Sequence, residues 1–120
     1  MKIISHYNEI QAYTTRDNSE IRELMHPQKQ GNTQQSLAEA TIKPGDTTLL
    51  HRHNKSEELY YITQGQGLMW LNENTFNVAP GDCICIPAGT AHKIKNIQNI
   101  DLKILCCCSP AYSHLDTELL

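Results

Sequence analysis

Gly45-Asp46-Thr47-Thr48-Leu49-Leu50-His51-Arg52-His53-Asn54-Lys55-Ser56-Glu57-Glu58-Leu59-Tyr60-Tyr61-Ile62-Thr63-Gln64-Gly65 is the stretch that organises the chain. Thr48 to His53 reads as a strand, and side chains two apart on a strand share a face. His51 and His53 therefore point the same way, with Cα atoms roughly 6.5 Å apart. Two imidazoles at that separation can lean onto one ion with bonds of about 2.0–2.1 Å, the zinc value. Asn54-Lys55-Ser56 has turn composition, and Glu58 to Thr63 is rich in the aromatic and β-branched residues of a return strand. A hairpin there sets Glu58 beside the two histidines. Glu57 is the rival carboxylate, but alternation turns it away from the face of Glu58, Tyr60 and Ile62.

A second block lies further along: Gly81, then Pro87-Ala88-Gly89, His92 and Asn96. Gly81-Asp82 signals a turn, Cys83 to Ile86 a short apolar strand, and Pro87-Ala88-Gly89 a loop. His92-Lys93-Ile94-Lys95 alternates apolar and basic residues, so Lys93 and Lys95 share the face opposite His92 and Ile94. If Ile94 is inside, His92 is inside too.

Together the two blocks resemble the paired motifs of the cupin superfamily, matched at every signature position, with the short inter-motif spacing of small microbial members. The resemblance implies an all-β fold, a double-stranded β-helix (jelly-roll) barrel of antiparallel strands. It also implies that His51, His53, Glu58 and His92 are metal ligands for one divalent transition-metal ion. Such a ligand set suits Fe, Mn, Ni, Cu or Zn, and sequence does not choose among them.

At 120 residues the chain is long enough for one core but not for two. A net charge of −3 argues against nucleic acid or an anionic membrane as partner. No apolar run approaches the roughly 18 residues of a membrane-spanning helix. The start, Met1-Lys2-Ile3-Ile4-Ser5-His6, does not read as a secretory leader, so a cytoplasmic protein is expected.

Residues 1–34 read as N-terminal strands and a loop packing on the barrel, 35–110 as the barrel itself, and 111–120 as a tail that folds back over an edge. Short strands are expected at Ile3-Ile4, at Tyr13 to Thr15 and from Ser19 to Met25, followed by a polar loop from Gln28 to Gln35. Ser36 to Ile42 alternates as a strand, and Lys43-Pro44-Gly45-Asp46 is a strong turn. Leu68 to Leu71 and Thr75 to Val78 read as a hairpin, and Asp101 to Cys108 as a last strand stopped by Ser109-Pro110. Many short strands at regular spacing read as an antiparallel sandwich or barrel without help from the resemblance.

Five cysteines, three of them consecutive at Cys106-Cys107-Cys108, form neither a Cys-x-x-Cys motif nor an even set. The simplest expectation is that all five are small buried hydrophobes. The sharper one is that Cys106 or Cys108, sharing parity with Leu102 and Ile104, lines the metal pocket. Lys93, Lys95 and Lys103 read as a solvated outer face. Tyr60, on the Glu58 face, could orient a substrate and equally could simply fill the barrel mouth. His6, His26 and His114 have no partners at ligand spacing.

A six-coordinate ion with these four ligands keeps two positions open. A 2-oxo acid, a dicarboxylate or a vicinal diol could take both, with the metal as Lewis acid and template. The expected function is therefore a metal-dependent enzyme (dioxygenase, decarboxylase, lyase or isomerase type) on a small polar, oxygen-rich metabolite. A non-catalytic small-ligand binding module is the alternative. A homodimer is expected in either case, because the resemblance implies one and because open sheets expose edges that pair unless covered.

Overall fold

The computed structural model describes residues 3–120, so Met1 and Lys2, part of the start read above for a leader, lie outside the described residues. Eleven strands run in chain order: β1 Tyr13–Thr14, β2 Glu20–Met25, β3 Ser36–Ile42, β4 His51–His53, β5 Glu57–Gln64, β6 Gly67–Leu71, β7 Asn74–Val78, β8 Cys83–Ile86, β9 His92–Asn96, β10 Leu102–Ser109 and β11 Thr117–Leu119. They form a six-stranded sheet ordered β1-β2-β3-β10-β5-β8 and a five-stranded sheet ordered β11-β4-β9-β6-β7. Every pairing is antiparallel. This is the double-stranded β-helix that the sequence implies.

The core sits between the two sheets, and the two longest strands, β5 and β10, alternate to face it. On β10, Leu102, Ile104, Cys106 and Cys108 are buried while Lys103, Leu105 and Cys107 are only partly covered. On β5, Glu58, Tyr60 and Ile62 point inward and Glu57, Leu59 and Tyr61 outward. Ile62, Met69, Ile86, Ile94, Leu102 and Ile104 are almost wholly enclosed and form the apolar floor. Burying side chains of that size favours folding by about 1.5–3 kcal/mol each.

Two motif positions serve the backbone. Gly65 has φ +80°, and a Cβ there would meet the Asp101 carbonyl oxygen at 2.9 Å, so no side chain fits. Asn96 is fully buried, its Nδ2 donating to the carbonyls of Ile42 and Ile100 and its Oδ1 accepting from Gln98 N–H. It ties the end of β9 to the ends of β3 and β10.

Several boundaries differ from the sequence reading. Only His51–His53 of the segment from Thr48 is strand, because Leu49 N–H goes to the Asp17 carbonyl instead of a ladder partner. Ile3-Ile4 forms no strand. The supposed loop after Met25 begins with a helical turn, α1 Pro27–Gln30, with proline at its start and Gly31 closing it at φ 84°. His26 caps that turn, its Nδ1 accepting from Gln28 N–H. Cys83 and Cys85 are exposed, not buried, since they take the outward positions of β8 and leave the inward ones to Ile84 and Ile86.

The tail folds back as β11, pairing with β4 so that Thr117 lies opposite His53. The Asp116 carboxylate accepts from the backbone N–H groups of Lys55 and Ser56, clamping the β4–β5 turn.

Candidate metal centre

His51 and His53 face the interior from β4, and His92 lies directly across the ladder from His51 at the start of β9. The three rings bring one nitrogen each to within 4.8 Å of one another, and all three residues are buried. Glu58 reaches the same point from the opposite sheet. Its Oε1 is 3.2 Å from His53 Nε2 and 3.5 Å from His92 Nε2. Glu57, the rival carboxylate, is exposed.

The outer nitrogen of each ring explains how the inner one is presented. His51 Nδ1 lies 2.7 Å from the Leu49 carbonyl oxygen, and His92 Nδ1 lies 2.9 Å from that of Thr90. Carbonyls only accept, so the proton of each neutral ring sits on Nδ1. His53 Nδ1 meets Thr117 Oγ1 at 3.0 Å, and that hydroxyl donates onward to the Ser113 carbonyl. Thr117 therefore accepts from His53 as well. In the neutral form all three Nε2 lone pairs are left to face the cavity, the arrangement by which outer partners set the tautomer of metal-bound histidine.

Glu58 Oε1 and His92 Nε2 are both buried and have no hydrogen-bond partner. A buried acceptor without a partner costs about 1–3 kcal/mol, more when charged, and a cation would satisfy both. This donor set fits a divalent transition ion, and His51, His53 and His92 can hold one.

Without an ion, the electrostatics are those of a strained ion pair. Burial opposes the charge on Glu58, but close polar contact with His53 and His92 and the charge on those rings outweigh it, holding the carboxyl at about 2. Burial likewise opposes the charged His53 ring, yet Glu58 outweighs it and raises the pKa. His51 is lowered by burial and then by the neighbouring His92.

Three further residues join the centre. Cys108, paired with Glu58 across β10 and β5, donates its thiol to Glu58 Oε2 at 3.3 Å. Burial and then the Glu58 charge push that thiol well above the ordinary range, so it stays protonated and serves as a donor. Asp17, which the sequence reading did not single out, is buried in the β1–β2 turn with Oδ2 3.5 Å from His51 Nε2. Its Oδ1 accepts from the N–H and hydroxyl of Ser19. The signal available in the sequence was weak, an Asp-Asn-Ser turn. Tyr60 is buried on the same wall, its ring centroid 6.0 Å from that of His92, and burial pushes its hydroxyl pKa well up. His114 lies outside this centre, on Tyr112, and Cys106 lines the cavity beside Tyr60.

Comparison with known proteins agrees with this architecture. The chain is 55% identical over 121 residues to an uncharacterised protein of Methanocaldococcus jannaschii, covering 100% of this chain and 97% of that one. It is 30% identical over 86 residues to the oxalate-binding protein of Thermotoga maritima, covering 72% of this chain and 71% of that one. A crystal structure from Thermotoga maritima, described as a predicted oxalate decarboxylase, superposes with a TM-score of 0.78 at 24% identity, over 90% of this chain and 99% of that one. Oxalate decarboxylase from Bacillus subtilis gives a TM-score of 0.85 at 18% identity, over 100% of this chain and 32% of that one. At such identities the superpositions speak for the fold alone. The family model of the cupin domain matches residues 38–108, from β3 to the inward end of β10, and the chain belongs to the cupin family.

Proposed function

We propose that His51, His53, Glu58 and His92 hold one divalent transition ion (Fe, Mn, Ni, Cu or Zn). The chain is then a metal-dependent enzyme for a small polar, oxygen-rich metabolite, acting by dioxygenase, decarboxylase, lyase or isomerase chemistry. The observation that carries this reading is the meeting of four buried donors from both sheets, with Glu58 Oε1 and His92 Nε2 lacking any other partner. When bound, the ion supplies Lewis acidity and a template. The chain's own residues do the rest. Thr117, Thr90 and Leu49 fix the ring tautomers, Cys108 aims Glu58, and Tyr60 is placed to orient a bound substrate from the wall.

A second reading, a non-catalytic binding module on the same centre, draws support from the Thermotoga maritima relative named for binding oxalate. We place the protein in the cytoplasm as a homodimer. Among the described residues, no helix is long and apolar enough to cross a membrane.

Metal analysis of natively purified variants tests the centre. His53→Ala should strip most of the metal, whereas His114→Ala should leave it in place. Equal metal content in the two would sink the assignment. Assays of oxygen uptake and a substrate panel with the native metal then separate enzyme from binding module.

A further inference from the structure

The cavity over the candidate metal centre measures about 50 Å³, room for a handful of water-sized groups at about 10–15 Å³ each. Its lining has an uneven charge. Three carboxylates face it, Asp17, Glu23 and Glu58, and neither lysine nor arginine is among the lining residues. The nearby guanidinium groups are engaged elsewhere, Arg16 on the His114 carbonyl and Arg52 on the Glu118 carboxylate. Apart from His51 and His53, the remaining polar groups are hydroxyls and thiols. Thr15 and Tyr112 share a hydrogen bond of 3.0 Å at the wall, and burial lifts the Tyr13 hydroxyl to about 12.

This balance bears on which ligands the metal can recruit. A free carboxylate substrate brings negative charge, and in a buried site it needs positive charge that other groups have not already matched. Here the two charges of a divalent ion are already matched by Glu58 and by Asp17, whose Oδ2 stands 3.5 Å from His51 Nε2. Glu23 adds a further negative charge on the same cavity. The wall offers hydroxyl groups, which donate to and accept from neutral oxygen ligands. Asp17 is held in place on two sides. Its carbonyl accepts from Leu49 N–H at 2.8 Å, and its Oδ1 is bound by Ser19. It is a fixed feature of the pocket, not a passing surface acid.

We propose that the site selects a neutral oxygen chelator, of the hydroxy-carbonyl or vicinal-diol class, over dicarboxylates and other small organic anions, and that Asp17 is the residue setting this preference. The inference rests on the metal reading above. It separates this chain from the oxalate ligand in the name of its Thermotoga maritima relative. In the language of specificity, Asp17 is a repulsive element against the wrong ligand as much as a partner for the right one.

The test uses a pair of the same shape and different charge, lactate and lactamide, titrated at pH 7.5 into full-length protein loaded with Co(II). The visible spectrum of the ion reports ligand entry without any need for turnover. Wild-type protein should respond to lactamide at lower concentration than to lactate. Asp17→Asn keeps an oxygen for the Ser19 contacts while removing the charge, and should move the lactate-to-lactamide affinity ratio about tenfold toward lactate. Glu23→Gln, which has no contact with the three histidines or Glu58, should move it the same way by a smaller factor, and it serves if Asp17→Asn fails to fold. Tighter binding of lactate by the wild type, or a ratio unchanged in both variants, overturns the proposal. Failure of the wild type to take up Co(II) is a different outcome: it overturns the metal centre and with it the selectivity built on that centre.

Discussion

Cys108 Sγ lies 3.3 Å from Glu58 Oε2, across the β10–β5 ladder where the two residues are direct partners. Sulfur hydrogen bonds are long, and this one occupies the carboxylate oxygen that faces away from the histidines. Oε1 is thereby left for His53 and His92. One thiol of the consecutive three therefore belongs to the centre, and its high pKa keeps it a donor rather than a competing ligand.

Replacing that thiol should separate donation from packing. Cys108→Ser keeps a donor and should hold metal nearly as the wild type does. Cys108→Ala removes it, and loss of such an outer partner typically costs about 10–100-fold in metal affinity. Thr117→Val should cost a similar factor by leaving His53 Nδ1 with no acceptor. Competition with a chromophoric chelator measures each, and equal affinity in the Ala and Ser variants would mean that the contact is idle.

Exposure should order the reactivity of the five thiols. Cys83 and Cys85 are exposed, while Cys106 and Cys108 are buried and raised in pKa by burial first and Glu58 second. A thiol-specific disulfide reagent should modify Cys83 and Cys85 fast, and Cys106 and Cys108 only on unfolding. Peptide mapping after brief treatment checks this, and early label on Cys108 would contradict it.

Metal occupancy should fall as pH drops below about 6, because histidine binds as neutral imidazole with an unperturbed pKa of roughly 6.5. The loss should be steeper than a single titration. In the metal-free protein the Glu58–His53 pair has a pH window of its own. The raised His53 contributes stability that is full below its unfolded value and lost as pH rises through the folded one. The depressed Glu58 contributes above its ordinary 4.5 and loses that contribution as pH falls toward about 2. With chelator present, the melting advantage of wild type over Glu58→Gln should therefore be largest near pH 5–6 and shrink toward pH 9. An advantage that grows with pH would show that the pair is not charged as described. With metal present, Glu58→Gln should lose metal and Glu57→Gln should not.

A homodimer is expected across the outer face of the six-stranded sheet. Leu37, Cys107, Leu59 and Cys85 form one cross-strand row there, and Leu105, Tyr61 and Cys83 fall in the next. Leu37, Leu59 and Tyr61 are exposed, and a second copy seated on this face would cover them. Tyr61→Lys should return a monomer of 13.6 kDa by light scattering, where the wild type should give twice the mass. A monomeric wild type at high micromolar concentration would reject the dimer.

The sequence alone was enough for an all-β sandwich or barrel, and its resemblance to the cupins for the double-stranded β-helix; where the three histidines and Glu58 point follows from local rules. Alternation places His51 with His53, Glu58 away from Glu57, and His92 with Ile94. A period of two is readable over a few residues whatever the rest of the chain does. It was enough also for the inward parity of Cys106 and Cys108. Tertiary structure decided what depends on non-local partners. Asp17 enters the pocket because Leu49 N–H anchors its turn beside His51, and Thr117 reaches His53 because β11 pairs back across 64 residues. Periodicity shows which side of its own strand a residue takes; only the packing of the two sheets shows what stands opposite.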